Sequence, residues 1–526
     1  MTASRSSSEK LCSAFSVGSA ETRKAALAGS PPALQRGRTL IQAHRSSSTL
    51  RLLGFALLVS ILVRLALPGY LLLTAGDTQA FFEVYTHEYR EPALNLLSSG
   101  SYVSHGTPEI YRPPGYPLFL LSGLLLKQEA LVTILLQIIL SSLTVWLVFR
   151  LSLVIFENLA AALFTAFCYS LEPLSIVFCS LLMPETLMTC LLVGFLLWFC
   201  KYVKEGALGD LALSAIFLSL SGYVAAYLYF LPLLMAITLG VWRFCGKRLV
   251  KPSPSAVEGE LRAARQPGVD PLFSARPPSA HIALFLAICA GLFGAWQVRN
   301  YVASGYGGFS GVFDRSIYYA QAASVVAGQQ GKPEFQSAWE DLDRQLAAHA
   351  GPDARLSDEL RYMRHEGFRV LLGAPLDYLQ IHVKGMVRTL AGLEAHTYLR
   401  LLGSARGQPS GWDSITRGKG LMRSLSEGRR GATRAVFLVI VPLAGVAGAL
   451  CLFCALAFVS RTITWTMPVA TLLTVAAYIL VVTGGPHGYS RYRHGIMPIV
   501  AVFAGYGLAF LLKRFEPTSF RKDNAA

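Results

Sequence analysis

The sequence predicts an all-α polytopic membrane protein: a bundle of about ten transmembrane helices, with juxtamembrane helices in the first external loop and a small, mainly helical external region. Three observations carry this prediction. Hydrophobic residues make up 53% of the 526 and charged residues only 15%, with a mean hydropathy of +0.46. The apolar residues come in long unbroken blocks, and about 20 such residues at 1.5 Å each cross a ~30 Å hydrocarbon core. Lys+Arg number 47 against 31 Asp+Glu, a net charge of +16, and the surplus falls in the short loops on one side of the blocks, as the positive-inside rule requires. Such charge faces anionic lipid. Membrane lipids are therefore expected partners, and nucleic acid is not.

Residues 1–50 are rich in Ser, Arg, Lys and Ala without sustained periodicity, and read as a disordered basic cytoplasmic tail. The first run, 52–74, begins too far from Met1 and is too long for a signal-peptide core, so it reads as a retained span. Arg38, Arg45 and Arg51 before it place the N-terminus inside. Further runs lie at 129–149, 154–171, 183–200, 209–243, 281–298, 435–459, 463–483 and 494–512. The run 209–243 is too long for one crossing and is divided near Gly222, which brings the spans to ten. The piece 116–126, after "YRPPGYP", is too short to span and reads as juxtamembrane or re-entrant, its prolines forcing a sharp entry.

Threaded from an inside N-terminus, the chain puts Arg150, Lys201, Lys204, "WRFCGKRLVK" with its continuation to 276, Arg461, Lys513 and Arg514 in the cytoplasm. The parts are then a tail (1–50), an N-terminal transmembrane module (51–298) that includes the first external loop (75–128), an external, periplasmic region (299–434), C-terminal transmembrane helices (435–515) and a cytoplasmic tail (516–526). The basic stretch 416–434 opposes this threading; long loops are largely exempt from the charge rule, so it stays outside. Of nine cysteines, all but Cys12 fall in or beside apolar segments, so no disulfide framework is expected, and Cys451 and Cys454 receive no redox or metal role.

The stretch "AGDTQAFFEVYTHEYREPALNLL", 75–97, places four carboxylates directly after a span. Asp77, Phe81, Tyr85, Tyr89, Ala93 and Leu97 recur every four residues, the signature of an interfacial helix, with Pro92 as its expected break. Asp77 sits at the bilayer boundary, whereas Glu83 and Glu91 read as its wet face. Arg64 lies mid-span, where a guanidinium costs ~2.5–3.5 kcal/mol and needs a partner, either a neighbouring helix or an anionic headgroup. Arg299 in "WQVRNY" and Arg491 and Arg493 in "SRYRHG" flank spans on the external side, where lipid phosphate or a phosphate-bearing substrate would hold them. Glu185 in "LLMPETLM" opens a span, as a helix-capping acid or a site residue. His87 and His105 share a loop with Asp77 and Glu88, a set that could hold a divalent metal. "HEYRE" lacks the second His of a zinc-protease helix, and neither a Walker loop nor a G-x-S-x-G is present.

The order of these features is distinctive: an acid after the first span, "ALNLLSSGSY" and "YRPPGYPLFL", Pro184 with Glu185, "RNY" ending a later span, and "RYRHGIMPIVAVFAGYGLAFLL". Over about residues 51–515 the chain resembles the GT-C superfamily of membrane glycosyltransferases, in the bacterial branch related to protein O-mannosyltransferases and the lipid A aminoarabinose transferase. The resemblance implies a GT-C-like bundle in the bacterial inner membrane. It implies that a hexosyl or pentosyl group passes, with inversion, from a polyprenyl-phosphate carrier to a lipid, glycan or protein acceptor at the external face. Asp77 would be the general base that takes the acceptor's hydroxyl proton. Arg64, Arg299, Arg491 and Arg493 would bind the donor phosphate as it departs, with Glu185, Tyr111, Arg112 and Tyr492 as further active-site candidates.

Asp77 lies farther from Ala93 than is usual in the family, so either the chain carries an insertion of roughly two helical turns or Glu88 takes the equivalent place and stands as the rival base. "GYVAAYLYFLP", 222–232, carries aromatics where relatives often have a basic residue. A glycan polymerase or ligase using a polyprenyl-pyrophosphate oligosaccharide is the alternative enzyme, with Arg388, His396 and Arg400 available to it. A non-enzymatic flippase would be expected to show two similar halves and charges lining a path between the faces, and this sequence shows no internal repeat.

Overall fold

The computed structural model describes residues 47–83, 85–249, 277–331, 335–350, 354–392, 397–398, 401, 441–460, 462–463, 465–486 and 488–515. Most of the two tails, the basic stretches 250–276 and 416–434, Arg461, His396 and Arg400 lie outside them. The chain divides into two compact units, Met1–Gly54 with Val250–Leu272, and Phe55–Leu249 with Phe273–Ala526. The first is described only at residues 47–54, within the first helix, and the second holds everything below.

In chain order the elements are α1 (Ser47–Ala75), α2 (Thr86–Ser99), a hairpin of β1 (Val103–Ser104) and β2 (Thr107–Pro108), α3 (Gly115–Leu125), α4 (Glu129–Phe156), α5 (Leu159–Ser170) and α6 (Pro173–Phe178). Then come α7 (Glu185–Glu205), α8 (Leu208–Val224), α9 (Leu231–Leu249), α10 (Ser279–Ser304), α11 (Val312–Ser316), α12 (Ala323–Gln329), α13 (Phe335–Ala350), α14 (Leu356–Gly373) and α15 (Pro375–Ala391). The described chain closes with α16 (Val441–Val459), α17 (Met467–Val482) and α18 (Met497–Phe515). The protein is thus mainly helical and integral to the membrane. Among the described residues seven segments can cross a bilayer by length and composition: Ser48–Thr74, Glu129–Phe156, Glu185–Glu205, Ala226–Phe244, Ser279–Ser304, Val441–Val459 and Met497–Arg514.

The remaining apolar runs fold as α5, α8 and α17, of 12, 17 and 16 residues, shorter than the ~20 that a span requires. Local signals explain α5. Glu157 adopts the left-handed conformation that ends α4, and Asn158 caps α5 by accepting a hydrogen bond from Ala161 N at 3.0 Å. The run 209–243 divides at the 3-10 turn Ala226–Leu228, just beyond Gly222. Gly222 has a packing task instead: a Cβ there would meet the Phe293 ring of α10 at 2.7 Å. The short piece after "YRPPGYP" is α3, and a Cβ on Gly115 would meet the Tyr223 carbonyl at 2.7 Å, so α3 abuts the end of α8.

The stretch 77–97 is not one helix. Gly76 turns with φ +70, a 3-10 turn covers Gln79–Phe81, and the α-helix begins only at Thr86. Pro92 lies inside α2 and does not end it. The end of α1 meets the start of α7 through Leu182 N, which donates to Phe81 O at 2.9 Å, and Thr86 Oγ1, which donates to Leu182 O at 3.0 Å. α1, α8, α10 and α17 finish, and α4, α7 and α18 start, at this same end of the bundle, called the head end below. There the π-helical turn Ile317–Ala322, α12, α13 and α14 build a core around Ile110, Tyr318, Leu342, Leu360 and Met363.

Candidate active site at the head end

Two carboxylate–guanidinium pairs come together at the head end. Glu185, in the first turn of α7, faces Arg491 with Oε1 and Nε 3.3 Å apart, and the two side chains are only 7% and 17% exposed. The N-terminal position favours the Glu185 charge through the helix dipole. Glu88 in α2 accepts two hydrogen bonds from Arg112, from Nε at 2.9 Å and from Nη2. Both fall on Oε2, and among the described residues none is paired with Oε1.

Aromatic rings enclose the pairs. The Arg491 guanidinium lies 5.1 Å from the Tyr85 ring centre and 5.2 Å from that of Tyr492, and Arg112 lies 5.0 Å over Tyr89, geometries in which a cation gains from the ring quadrupole. Tyr492 meets Tyr227 edge-on at 5.8 Å, and Tyr89 meets Tyr116 at 5.4 Å. Tyr89 sits between the pairs: burial pushes its phenol up, while Arg112 and Arg491 pull it down. The aromatic segment 222–232 therefore contributes a ring to the site, through Tyr227.

Of the sequence candidates, the structure brings Glu88, Arg112, Glu185, Arg491 and Tyr492 together. It uses others differently. Arg64 is fully buried and all its N–H groups are committed: Nε to Ser141 Oγ at 2.7 Å, Nη1 to Ser60 Oγ at 2.8 Å and Ser170 O at 2.9 Å, Nη2 to Ser175 Oγ at 2.7 Å and Tyr169 O at 3.2 Å. With five donors and five protein acceptors, Arg64 has no N–H left for a donor phosphate, and it ties α1 to α4, α5 and α6 instead. Arg299 donates from Nη1 to Glu109 O at 2.6 Å and from Nη2 to Tyr102 O at 2.7 Å, and packs 4.8 Å over Trp296. It fastens the loop around the hairpin to the end of α10. Arg493 donates to Leu390 O near the end of α15. Tyr111 faces away, its carbonyl accepting from Ser310 Oγ at 2.5 Å and its ring lying 5.8 Å under Arg315.

Asp77 is exposed, and its Oδ1 accepts the Gln79 N–H at 2.9 Å, closing the turn after α1. Glu91 is more than wet surface: it accepts from Ser104 Oγ at 2.9 Å and His105 N at 2.7 Å, so it holds the hairpin turn. His105 is turned to Glu91, with Nε2 3.3 Å from Oε2. Among the described residues no group of three or more His, Cys, Asp or Glu is placed to hold a metal ion. Arg388, named for the polymerase alternative, lies on α15.

Sequence reasoning missed Glu109. It is 6% exposed, and its Oε1 accepts the N–H groups of Tyr111 (2.5 Å) and Arg112 (2.8 Å), fixing the turn from which Arg112 projects. Burial raises its carboxyl above the usual range, with the Arg112 and Tyr111 N–H groups pulling it down. An acid just before a double-proline turn was the available signal. Also missed were His494, which shares a 2.8 Å hydrogen bond with Thr189, and the buried Asp314, paired with Arg364 at 2.6 Å and with Tyr306 OH at 2.8 Å. Neither pairing has a local pattern, because Thr189 lies far from His494 and Arg364 far from Asp314 in the chain.

Residues 111–254 match the sequence model of the family described as Dolichyl-phosphate-mannose-protein mannosyltransferase. Comparison with curated proteins finds no match. Among solved structures the chain is similar to the archaeal oligosaccharyltransferase AglB from Archaeoglobus fulgidus, in complex with an inhibitory peptide and a dolichol-phosphate, at 13% identity over 92% of this chain and 52% of that one, with a TM-score of 0.45. It is also similar to the Archaeoglobus fulgidus oligosaccharyltransferase tethered to an acceptor peptide, at 12% identity over 90% and 50%, with a TM-score of 0.40. A third similarity is to ArnT from Cupriavidus metallidurans in the apo state, at 14% identity over 88% and 77%, with a TM-score of 0.32. The chain spans about half the length of the two archaeal proteins. The family match runs from the Arg112 turn through α9 of a helical membrane bundle, so about a quarter of the chain is similar to that mannosyltransferase family.

Proposed function

We propose that this protein transfers a sugar from a polyprenyl-phosphate carrier to a hydroxyl acceptor at the head end, and that this end faces the periplasm of a bacterial inner membrane, with both termini in the cytoplasm. The observation that carries the reading is the convergence of Glu88–Arg112 and Glu185–Arg491 around Tyr89 at the outer limit of the spans. Arg491 and Arg112 supply planar guanidinium groups for a phosphate, which suit its oxygens better than a point charge. As the bond between the anomeric carbon and the phosphate oxygen breaks, negative charge grows on the leaving phosphate, and these groups stabilise it.

The geometry favours Glu88 over Asp77 as the base. Glu88 is 36% exposed beside the site and presents an Oε1 that no described donor occupies, ready to take the acceptor's proton as its oxygen attacks. Asp77 already closes a turn. Glu185 holds Arg491 in place, and the Tyr85 and Tyr492 rings flank the guanidinium, with Tyr227 edge-on to Tyr492. Arg64, Arg299 and Arg493 support the framework that presents them.

The test is the full chain in nanodiscs, given a panel of polyprenyl-phosphate sugars. Glu88→Gln should lose roughly 10²–10⁴-fold in transfer, while Asp77→Asn stays within a few-fold of the parent. A large loss in Asp77→Asn with Glu88→Gln active would return the base to Asp77. Parent protein that turns over only pyrophosphate-linked oligosaccharides would establish the polymerase or ligase reading instead. For orientation, an epitope inserted at Gly106 in the exposed hairpin turn should bind antibody on intact spheroplasts; binding only after lysis would reverse the topology.

A further inference from the structure

α15 has three distinct faces. One lies against the segment that leads from the end of α17 to the start of α18. His382 Nε2 shares a 2.9 Å hydrogen bond with Val481 O, and Gly485 N donates to His382 O at 3.2 Å. Gly385 packs its backbone directly against Gly485 and Gly488, and a Cβ on Gly392 would meet Ser490 Cβ at 2.8 Å. Near its last turn, Leu390 O accepts from Arg493. A second face is polar, carrying Asp377, Gln380, Lys384 and Arg388.

The third face is apolar and open. Leu376, Leu379, Val383, Val387 and Leu390 recur at steps of three and four, which stacks them in one stripe, and they are 79%, 55%, 47%, 57% and 48% exposed. The end of α14 extends it with Leu372, 76% exposed. A stripe of this size left to water would be unusual.

The contacts of the first face tie the helix to the start of α18. From His382 to Gly392 it follows a connection that starts where one apolar helix ends and finishes where a spanning helix begins. We infer that α15 is seated in the lipid surface, with Leu376, Leu379, Val383, Val387 and Leu390 among the acyl chains of the head-side leaflet and Lys384 and Arg388 at its phosphates. The attachment to the connection that leads into the spanning helix α18 and the basic flank select a phospholipid bilayer as the occupant. The inference rests on membrane integration alone and stands whatever the transferase activity proves to be.

The experiment places p-benzoylphenylalanine at Val383, at Leu379 in a second protein, and at Lys384 as the polar-face control, each in the full chain in nanodiscs of phosphatidylethanolamine and phosphatidylglycerol. After irradiation, intact-mass spectrometry should find lipid adducts at 383 and 379 in several-fold excess over 384. The inference is overturned by adducts to a second copy, by adducts to residues 402–440 of the same chain, by equal lipid yields at 383 and 384, or by no adduct at either apolar position.

Discussion

The pair Glu185–Arg491 offers the sharpest test of the site as an electrostatic unit. Replacing Glu185 by Gln keeps the shape of the side chain and leaves Arg491 charged, 17% exposed, with its carboxylate partner gone from 3.3 Å. At that separation, with an effective dielectric of ~20, the attraction is about 5 kcal/mol before desolvation is counted. The rings of Tyr85 and Tyr492 lie within about 5 Å of the guanidinium with or without the carboxylate, so their contribution cancels in the difference. Relief of the Glu185 desolvation cost offsets part of the attraction, and the expected loss is about 3 kcal/mol, the lower end of what breaking a buried pair costs. Arg491→Met should lose a similar amount, and the double variant should recover most of it, because neither charge is then stranded. The assay is a double-mutant cycle of unfolding free energies from SDS titration of the full chain in mixed micelles. A coupling energy below about 1 kcal/mol, the value of a surface pair, would refute the description of Glu185 and Arg491 as a desolvated unit.

Arg64→Lys should cost ~3 kcal/mol or more in the same titration, because a point charge with three donors cannot replace five directed ones, while the KM for the lipid-linked donor stays unchanged; a raised KM with unaltered stability would instead make Arg64 a phosphate ligand. The Glu91 carboxyl is held below its ordinary value, chiefly by the His105 backbone N–H, so its hold on the hairpin is complete above about pH 4.5 and is lost as pH falls through the depressed folded value. Amide-exchange protection at residues 103–108 should fall on acidification and should already be low at neutral pH in Glu91→Gln; protection that is insensitive to both would contradict the assignment. Gly385→Ala forces a methyl into the backbone of Gly485 and should cost about 1–3 kcal/mol as an overpacked contact, with exchange at 484–488 rising first. Unchanged exchange there would mean that α15 is not clasped by that loop.

The spans were legible because burial in lipid demands length and apolarity, both local properties that a sequence displays. The fate of residues 154–171 shows the limit: the apolar run continues through Phe156, but Glu157 and Asn158 end one helix and cap the next, so the boundary is set by two polar residues inside a hydrophobic block. The four-residue repeat from Asp77 to Leu97 misled for a related reason. Its last members belong to α2 and bury Tyr89 and Ala93 as expected, whereas Asp77 and Phe81 keep the spacing by coincidence across a turn that Gly76 opens. The arginines divide along physical lines. A charge at depth announces itself in sequence, but its partner does not, and reasoning from charge looks for an anion. Arg64 is satisfied by neutral groups, three serine hydroxyls and the last carbonyls of α5, which are left open because helix ends have unpaired acceptors. Arg491 lies only two residues from Arg493 and shares the same motif, yet it meets a carboxylate at a helix N-terminus while Arg493 meets a carbonyl near a helix end. What separates Arg491 from Arg64 and Arg493 is which end of which helix comes to meet it. That is a property of the bundle, and Glu88 shows the same dependence: its claim as base rests on Arg112 reaching one oxygen from across the proline turn and leaving the other open.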